Sequence, residues 1–247
     1  MAARHRLSKL LLRHGIVYYG GRPWTGSHEL WLRAQRRGAL FATPGLGLAF
    51  DTAYDTAYDT VLATLARRDR LDAAITAMAA QSAFTPVVCR LGCLRGVATL
   101  TAFGLAVEIG DWHRLTGSSI GAYLGLVPTE SSSGDSRSRG SITKTGNGHA
   151  RRLLIEAAWH HRPPYRTERE LRRRQDAASP AARDRGQRAN RRLHARWAAF
   201  DARLKLPVVA NTAIARELAG RCWSAGAGRW PCSTTDLAPR RPDTSPG

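Results

Sequence analysis

Between Ser131 and Ser141 the chain carries no hydrophobic residue. Such a run has nothing to contribute to a core, so it must lie at the surface and part the fold into elements before and after it. Upstream, Ser118 or Ser119 is placed to cap a short helix. Its apolar residues Ile120, Tyr123, Leu124 and Val127 recur every three or four positions, and Pro128 is its stop. Downstream, Thr145 or Asn147 caps a helix with Arg151 and Arg152 near its start and Leu153, Leu154, Ala157 and Ala158 on a buried side. The stretch from Leu115 to His161 therefore reads as helix, turn, serine-rich basic loop, glycine turn and helix.

The chemistry of that stretch is a row of hydroxyls beside cations and a helix start. Ser131, Ser132 and Ser133 are followed by Arg137, Arg139 and Lys144. Free amides and the positive end of a helix dipole favour a phosphate, and arginines add two-pronged contacts to it. A serine on such a loop can attack a phosphodiester, with the same donors stabilising the charge that develops. A flexible polar linker is the competing reading. Spacing does not separate the two.

A set of ordered motifs goes further. Gly125-Leu126-Val127-Pro128, Ser133-Gly134, Gly140-Ser141-Ile142-Thr143-Lys144-Thr145-Gly146-Asn147 and Arg151-Arg152-Leu153-Leu154 with Ala157-Ala158 succeed one another. They resemble the C-terminal transposase domain of the DEDD-type bacterial insertion-sequence transposases, also called bridge recombinases. The resemblance extends upstream through Gly96-Val97, Thr101-Ala102 and Glu108-Ile109-Gly110-Asp111, and downstream to Ala215-Arg216-Glu217-Leu218-Ala219-Gly220. It implies a serine nucleophile in the loop, and Ser133, directly before Gly134, is the matching position.

Charge points to the partner. The 247 residues hold 38 Lys and Arg against 19 Asp and Glu, a formal charge of +19. The lysines are Lys9, Lys144 and Lys205, so nearly all of the excess is arginine. A GC-rich genome accounts for arginine over lysine but not for positive over negative, and the excess implies a polyanion, most simply nucleic acid. No long apolar run is present, so no membrane partner is expected. Cys89, Cys93, Cys222 and Cys232 lack metal-ligand spacing, and the adjacent His160 and His161 do not share a helix face; incidental thiols and no metal are expected.

From the start, residues 4–14 predict a short basic helix closed by Gly15. A loop follows, then a helix from His28 to Arg37 capped by Ser27, then a loop with Pro44, Gly45 and Gly47. A long helix is predicted from Leu48 to Ala80, striped by Tyr54, Tyr58, Val61, Leu62, Leu65, Ile75 and Met78. Inside it Asp51-Thr52-Ala53-Tyr54 recurs as Asp55-Thr56-Ala57-Tyr58, which keeps both tyrosines on one face. A helix this long usually packs on another, and the family places a dimerisation region here, so a homo-oligomer is expected.

Leu94 to Ala102 resembles a helix-hairpin-helix turn with Ala98 in the second glycine position, read as either DNA contact or plain helix packing. Past Pro163-Pro164 comes a basic arm. It holds Arg166, Arg169, Arg172, Arg173 and Arg174, then a new helix start at Ser179-Pro180. Arg183, Arg185, Arg188, Arg191, Arg192, Arg196 and Arg203 follow, interleaved with Leu193, Trp197, Phe200 and Leu204. Acids are too few to neutralise this arm, which favours a phosphate-tracking surface over a merely solvated face. Val208 to Trp223 predicts a last amphipathic helix, and the Pro- and Gly-bearing tail beyond it reads as disordered.

The expected architecture is mainly α. Residues 1–85 form a helical linker region, 86–162 the transposase core, 163–223 the basic arm and last helix, and 224–247 the tail. The resemblance also implies an N-terminal RuvC-like domain whose four acidic residues bind divalent metal. Residues 1–114 read as helices and loops, with Asp51, Asp55 and Asp59 on a solvated helix face rather than as ligands. The chain is therefore expected to lack that domain and to bind no cofactor itself, magnesium belonging to the missing part.

Two functions remain. One is an insertion-sequence transposase component with Ser133 catalytic, acting in DNA cleavage and joining when complemented by a RuvC-like domain. The other is a non-catalytic nucleic-acid-binding remnant that holds DNA or a structured guide RNA. In both, Arg137, Arg139, Lys144, Arg151, Arg152, Arg172, Arg173, Arg174, Arg191 and Arg192 are the nucleic-acid-binding candidates. The family is bacterial, and a cytoplasmic, nucleoid-associated protein is expected.

Overall fold

A period of four threonines shapes the longest helix. Thr52, Thr56, Thr60 and Thr64 each donate through Oγ1 to the carbonyl four residues back, at 2.7–2.8 Å, along an exposed face. The tyrosines of the same repeat turn inward, and Tyr54 and Tyr58 stack with ring centroids 5.8 Å apart. The computed structural model describes residues 2–35, 43–133 and 136–228, with the backbone alone for 44, 131–133 and 136–139. The described residues are mainly helical and fall into two compact units, Met1–Ala73 and Ala74–Gly247.

The first unit is built by α1 (Ala2–Arg13), α2 (Gly26–Gln35) and the leading part of α3 (Pro44–Ala80). Its core is Leu7, Leu11, Leu32, Phe50, Tyr54, Tyr58 and Val61. The Tyr54 hydroxyl, though buried, donates to the Leu32 carbonyl at 2.6 Å and so carries no desolvation penalty. Two expectations change here. The long helix begins at Pro44 rather than Leu48, because proline is tolerated in a first turn and the following glycines continue the helical backbone. The start of α2 is served by Thr25 rather than Ser27: its carbonyl accepts from Glu29 N at 2.9 Å and its Oγ1 from His28 N at 3.4 Å. Arg36, Arg37 and Gly38 lie outside the described residues. Asp51 and Asp55 are half-buried and Asp59 is exposed, so only the last sits on a solvated face.

The second unit comprises α4 (Thr85–Leu91), α5 (Thr99–Ile109), α6 (Ser119–Tyr123), β1 (Pro128–Ser133), β2 (Ser136–Ile142), α7 (Gly148–Ala158), α8 (Arg169–Asp176), α9 (Pro180–Ala202) and α10 (Pro207–Gly226). Helix α10 is its axis. Ala210, Ile214, Ala215, Leu218, Ala219 and Cys222 are all buried, and the helix packs against α4, α6, α7 and α9. Small residues let those helices approach, and Trp197, fully buried, fills the space between α9 and the end of α7. Its indole N–H donates to the Ala158 carbonyl at 3.2 Å. Ser179 caps α9 from the position the sequence predicts, its Oγ accepting from Ala182 N at 3.4 Å.

The hairpin-like turn between α4 and α5 faces inward. Gly96 has φ +81°, and a Cβ there would stand 2.4 Å from the Ala157 carbonyl oxygen. Asn190 bridges the same turn, its Oδ1 accepting from Arg95 N at 2.9 Å and its Nδ2 donating to the Cys93 carbonyl at 3.1 Å. These contacts are helix packing. Cys93 and Cys222 are free and buried, and burial pushes their thiols up to about 11 and about 12. From residue 229 the tail lies outside the described residues.

Candidate nucleic-acid interface

The serine-rich stretch is a β-hairpin, not the loop its composition predicts. Strands β1 and β2 pair antiparallel, with Glu130 opposite Arg139, Ser131 opposite Ser138, Ser132 opposite Arg137 and Ser133 opposite Ser136. Pairing satisfies the backbone polar groups without any apolar face, which a period-two search for hydrophobic residues cannot detect. Ser133 therefore sits at the far end of β1, about 17 Å from Pro128 at the strand rise of ~3.4 Å per residue. Gly134 and Asp135 lie outside the described residues.

At the near end the hairpin is anchored by interlocked turns. Helix α6 stops at Tyr123 with Leu124 as its cap, not at Pro128. Gly125 has φ +63° and a Cβ there would strike Thr145, while Gly146 has φ +73° and a Cβ there would strike the Tyr123 carbonyl. Both positions demand glycine twice over, for the backbone angle and for the approach. Thr143 N donates to the Val127 carbonyl at 2.9 Å and Lys144 N to that of Gly125 at 3.1 Å. Arg151 belongs to this anchor: its Nη1 donates to the carbonyls of Leu124 and Thr145, each at 3.0 Å. Thr116 and Ser119, rather than Ser118, open α6, exchanging amide-to-hydroxyl bonds of 2.8 and 3.1 Å.

Asn147 caps α7, its Oδ1 accepting from Ala150 N at 2.9 Å. Its Nδ2 donates to Glu108 Oε2 at 2.6 Å, and the other oxygen of Glu108 lies 2.7 Å from His149 Nδ1. Those bonds, Asn147 first, hold the Glu108 carboxyl below the usual carboxylate range.

The cations gather elsewhere. Arg185, Arg188, Arg192 and Arg196 of α9, with Arg203 just past its end, line three adjoining concavities of about 360, 1070 and 400 Å³, each of which includes Arg192. From Arg185 to Arg196 this ridge runs about 17 Å along the helix at ~1.5 Å per residue. The largest concavity is a groove whose walls are α6, the near end of the hairpin, α9 and α10. Arg216 and Arg221 of α10 line it too. Within it Glu217 accepts from Arg192 at 2.7 Å, Arg196 at 2.7 Å and Arg221 at 3.2 Å. Burial would raise this carboxyl, but the bonds from Arg192 and Arg221 and the charge of Arg196 hold it below its ordinary value.

The remaining candidates are dispersed. Arg172 and Arg191 are exposed, as is Lys144. Arg152 pairs with Glu156 at 2.8 Å and Arg173 with Glu170 at 3.2 Å. Arg174 is half-buried and donates to the Val97 carbonyl. For Arg137 and Arg139 the strand positions are described and the side chains are not. Sequence reasoning missed Arg216, Glu217 and Arg221 as one cluster with Arg192 and Arg196. The available signal was the motif from Ala215 to Gly220, in which residues 216, 217 and 220 reach the groove while 215, 218 and 219 enter the core. Among the described residues no group of three or more His, Cys, Asp or Glu could hold a metal ion. No helix among them is long and apolar enough to cross a membrane.

This scaffold has known relatives. Residues 90–172 match the transposase IS116/IS110/IS902 family, a segment running from the end of α4 through the hairpin and α7 into α8. That segment is similar to an IS110/IS116-type transposase domain. The chain is 34% identical over 222 residues to y4qE of Sinorhizobium fredii, a protein named as a transposase, covering 90% of this chain and 52% of that one. It is 39% identical over 70 residues to the transposase for insertion sequence element IS1328 of Yersinia enterocolitica, covering 28% of this chain and 21% of the relative. The figures for the transposase of element IS1111A of Coxiella burnetii are 39% over 70 residues, with 28% and 19% covered. The chain thus spans about half, or less, of the curated relatives it matches. No solved structure matches it. The interlocked glycines, Arg151 and the Glu108–Asn147 pair all lie inside the matched segment, whereas the arginine ridge of α9 lies beyond it.

Proposed function

We propose that this chain is the part of an insertion-sequence transposase that grips DNA along α9 and α10 and offers Ser133 to a phosphodiester of the held strand. The observation that carries the reading is the arginine ridge, whose groove opens on the near end of the serine hairpin. Phosphate contacts along such a ridge give affinity and register without sequence information. In the covalent step, the Ser133 Oγ–P bond forms as the P–O bond to one strand end breaks, leaving that end as a free hydroxyl. Serine is a weak nucleophile at neutral pH. Its proton passes to an ionised carboxylate of a RuvC-like domain, the departing oxygen takes a proton from solvent, and Arg137, Arg139 and Lys144 stabilise the charge on the phosphate. Magnesium, in this reading, belongs to that domain and not to these residues.

A homo-oligomer through the long helix α3 belongs to the same reading. The arginine ridge would equally hold a structured guide RNA, and in that reading Ser133 has no covalent role.

The test is a denaturing gel of end-labelled DNA incubated with the chain and the RuvC-like domain of a longer relative, followed by peptide mapping of any shifted band. A protein–DNA adduct is expected that Ser133→Ala abolishes and Ser131→Ala and Ser132→Ala retain. An adduct that survives Ser133→Ala and maps to Ser131 or Ser136 moves the nucleophile, and one on no serine ends the serine mechanism.

A further inference from the structure

Resting on that nucleic-acid reading, we infer that the groove bounded by α6, the near end of the hairpin and α10 takes an unstacked nucleotide of a single strand. Its base lies against the indole ring of Trp223, and the adjoining phosphates lie on Arg216 and Arg221.

Size comes first. The groove, at about 1070 Å³, stands at the top of the range of clefts that take in a compact organic molecule, ~300–1,000 Å³. Such a cleft admits one or two bases lifted out of a stack and is too small for a duplex. Its floor is made of small residues. A Cβ on the buried Gly121 would meet Arg216 Cγ at 3.5 Å and Val127 Cγ1 at 3.8 Å, so this glycine lets the Arg216 stem lie against α6 at the edge of the groove. A Cβ on Gly117 would stand 3.2 Å from Trp223 Cε3, so glycine there lets the backbone lie close to the ring and adds no side chain to crowd it.

The ring itself is pre-ordered. The Trp223 indole N–H donates to the carbonyls of both Leu115 and Trp112, at 2.8 and 3.1 Å. With that polar atom spent on the protein, what the ring can offer a ligand is its π-surface. A fixed aromatic surface flanked by cations is how proteins hold single strands without reading sequence, because every base has a face to stack.

Charge selects a strand over a free nucleotide. Arg192, Arg196, Arg216 and Arg221 line the groove against the single carboxylate of Glu217, and the adjoining concavity adds Arg185 and Arg188. Cations therefore continue beyond the space one nucleotide occupies, as a ligand whose phosphates run on from the groove along α9 requires.

The test uses the full chain with oligonucleotides carrying one 2-aminopurine, supplied as single-stranded DNA, as single-stranded RNA and as duplex DNA. On binding, the fluorescence of a single strand is expected to fall, with DNA or RNA identified by the arm that responds, while duplex fluorescence stays unchanged. Trp223→Leu should remove the fall. Ala213→Leu, at a half-buried position of α10 that lines the groove, should weaken single-strand binding about tenfold, within the range of losing one base stack. Should Trp223→Leu fail to fold by circular dichroism, Ala213→Leu alone decides the outcome. Unchanged fluorescence with both single strands, or full binding and quenching by Ala213→Leu, overturns the inference and leaves the duplex-binding reading standing. Failure of the unaltered chain to bind any of the three overturns both.

Discussion

Glu108 Oε2 and Asn147 Nδ2 lie 2.6 Å apart although 39 residues separate them. The bond joins the last turn of α5 to the residue that caps α7, so the return of the serine hairpin is fixed from both sides. Asn147→Ala should cost about 1 kcal/mol through loss of the cap, a fall in Tm of roughly 2–4 °C for a chain of this size. Asn147→Asp keeps a capping oxygen but sets a second carboxylate against Glu108, so it should melt below the parent at neutral pH and recover towards it in acid. Thermal melts of the two variants at pH 7 and pH 4 decide this.

The Glu108 carboxyl is held low, first by Asn147 and then by His149. A carboxylate depressed in the folded state stabilises fully above its unfolded value and loses that contribution as pH falls through the folded one. Glu108→Gln should therefore be less stable than the parent at pH 7 and converge on it at the acid end. Urea midpoints across pH 3–7 measure the convergence, and a constant gap would exclude it.

His161 works in the opposite chemical sense. Burial, reinforced by the nearby Arg95 charge, lowers its imidazole to about 4 from an ordinary 6.5. The unfolded chain thus takes up a proton below pH 6.5 that the folded chain refuses until about 4. Stability is full above 6.5 and declines as pH falls through that window, by about 3 kcal/mol at most at ~1.4 kcal/mol per pH unit. His161→Leu should flatten this limb of the pH–stability curve, and an unchanged slope would show that His161 is protonated when folded.

Along α9 the expectation concerns salt. If the ridge engages about six phosphates, log Kd against log salt on duplex DNA should have a slope of magnitude roughly 5, and each of Arg188→Ala and Arg196→Ala should reduce it by ~0.9. Fluorescence anisotropy between 50 and 200 mM salt, the span over which such interfaces weaken steeply, measures it. A flat dependence would remove the ridge from the interface.

Gly226 faces Trp112 so closely that a Cβ would stand 2.2 Å from ring atom Cδ2. Both belong to the core under α10, where the ring has no free direction, so Gly226→Ala should cost about 1–3 kcal/mol by overpacking. The urea midpoint should drop with the slope unchanged. A neutral substitution would mean that the ring can shift.

The sequence by itself determined the helices and several of their ends. Ser179-Pro180 opens α9, and Asn147, one of the two caps the sequence offers beside Thr145, opens α7, because a cap acts on amides two or three residues away. The inward stripes, such as Leu154, Ala157 and Ala158 of α7 or Leu193 and Trp197 of α9, follow from a period any window of the chain reveals. The excess of arginine was equally plain, since charge is a sum over residues.

Tertiary structure decided the rest. The hairpin was invisible because its strands carry serine and arginine without apolar alternation, and their partners come only from backbone pairing. Which arginines share a site was also hidden. Arg151 and Arg174 turn inward to carbonyls, whereas Arg192 and Arg196 meet Arg221 on Glu217 because α9 packs along α10. A guanidinium looks the same in sequence whether it holds a backbone or a phosphate. Only the packing of distant helices places an acceptor in front of one and open groove in front of another.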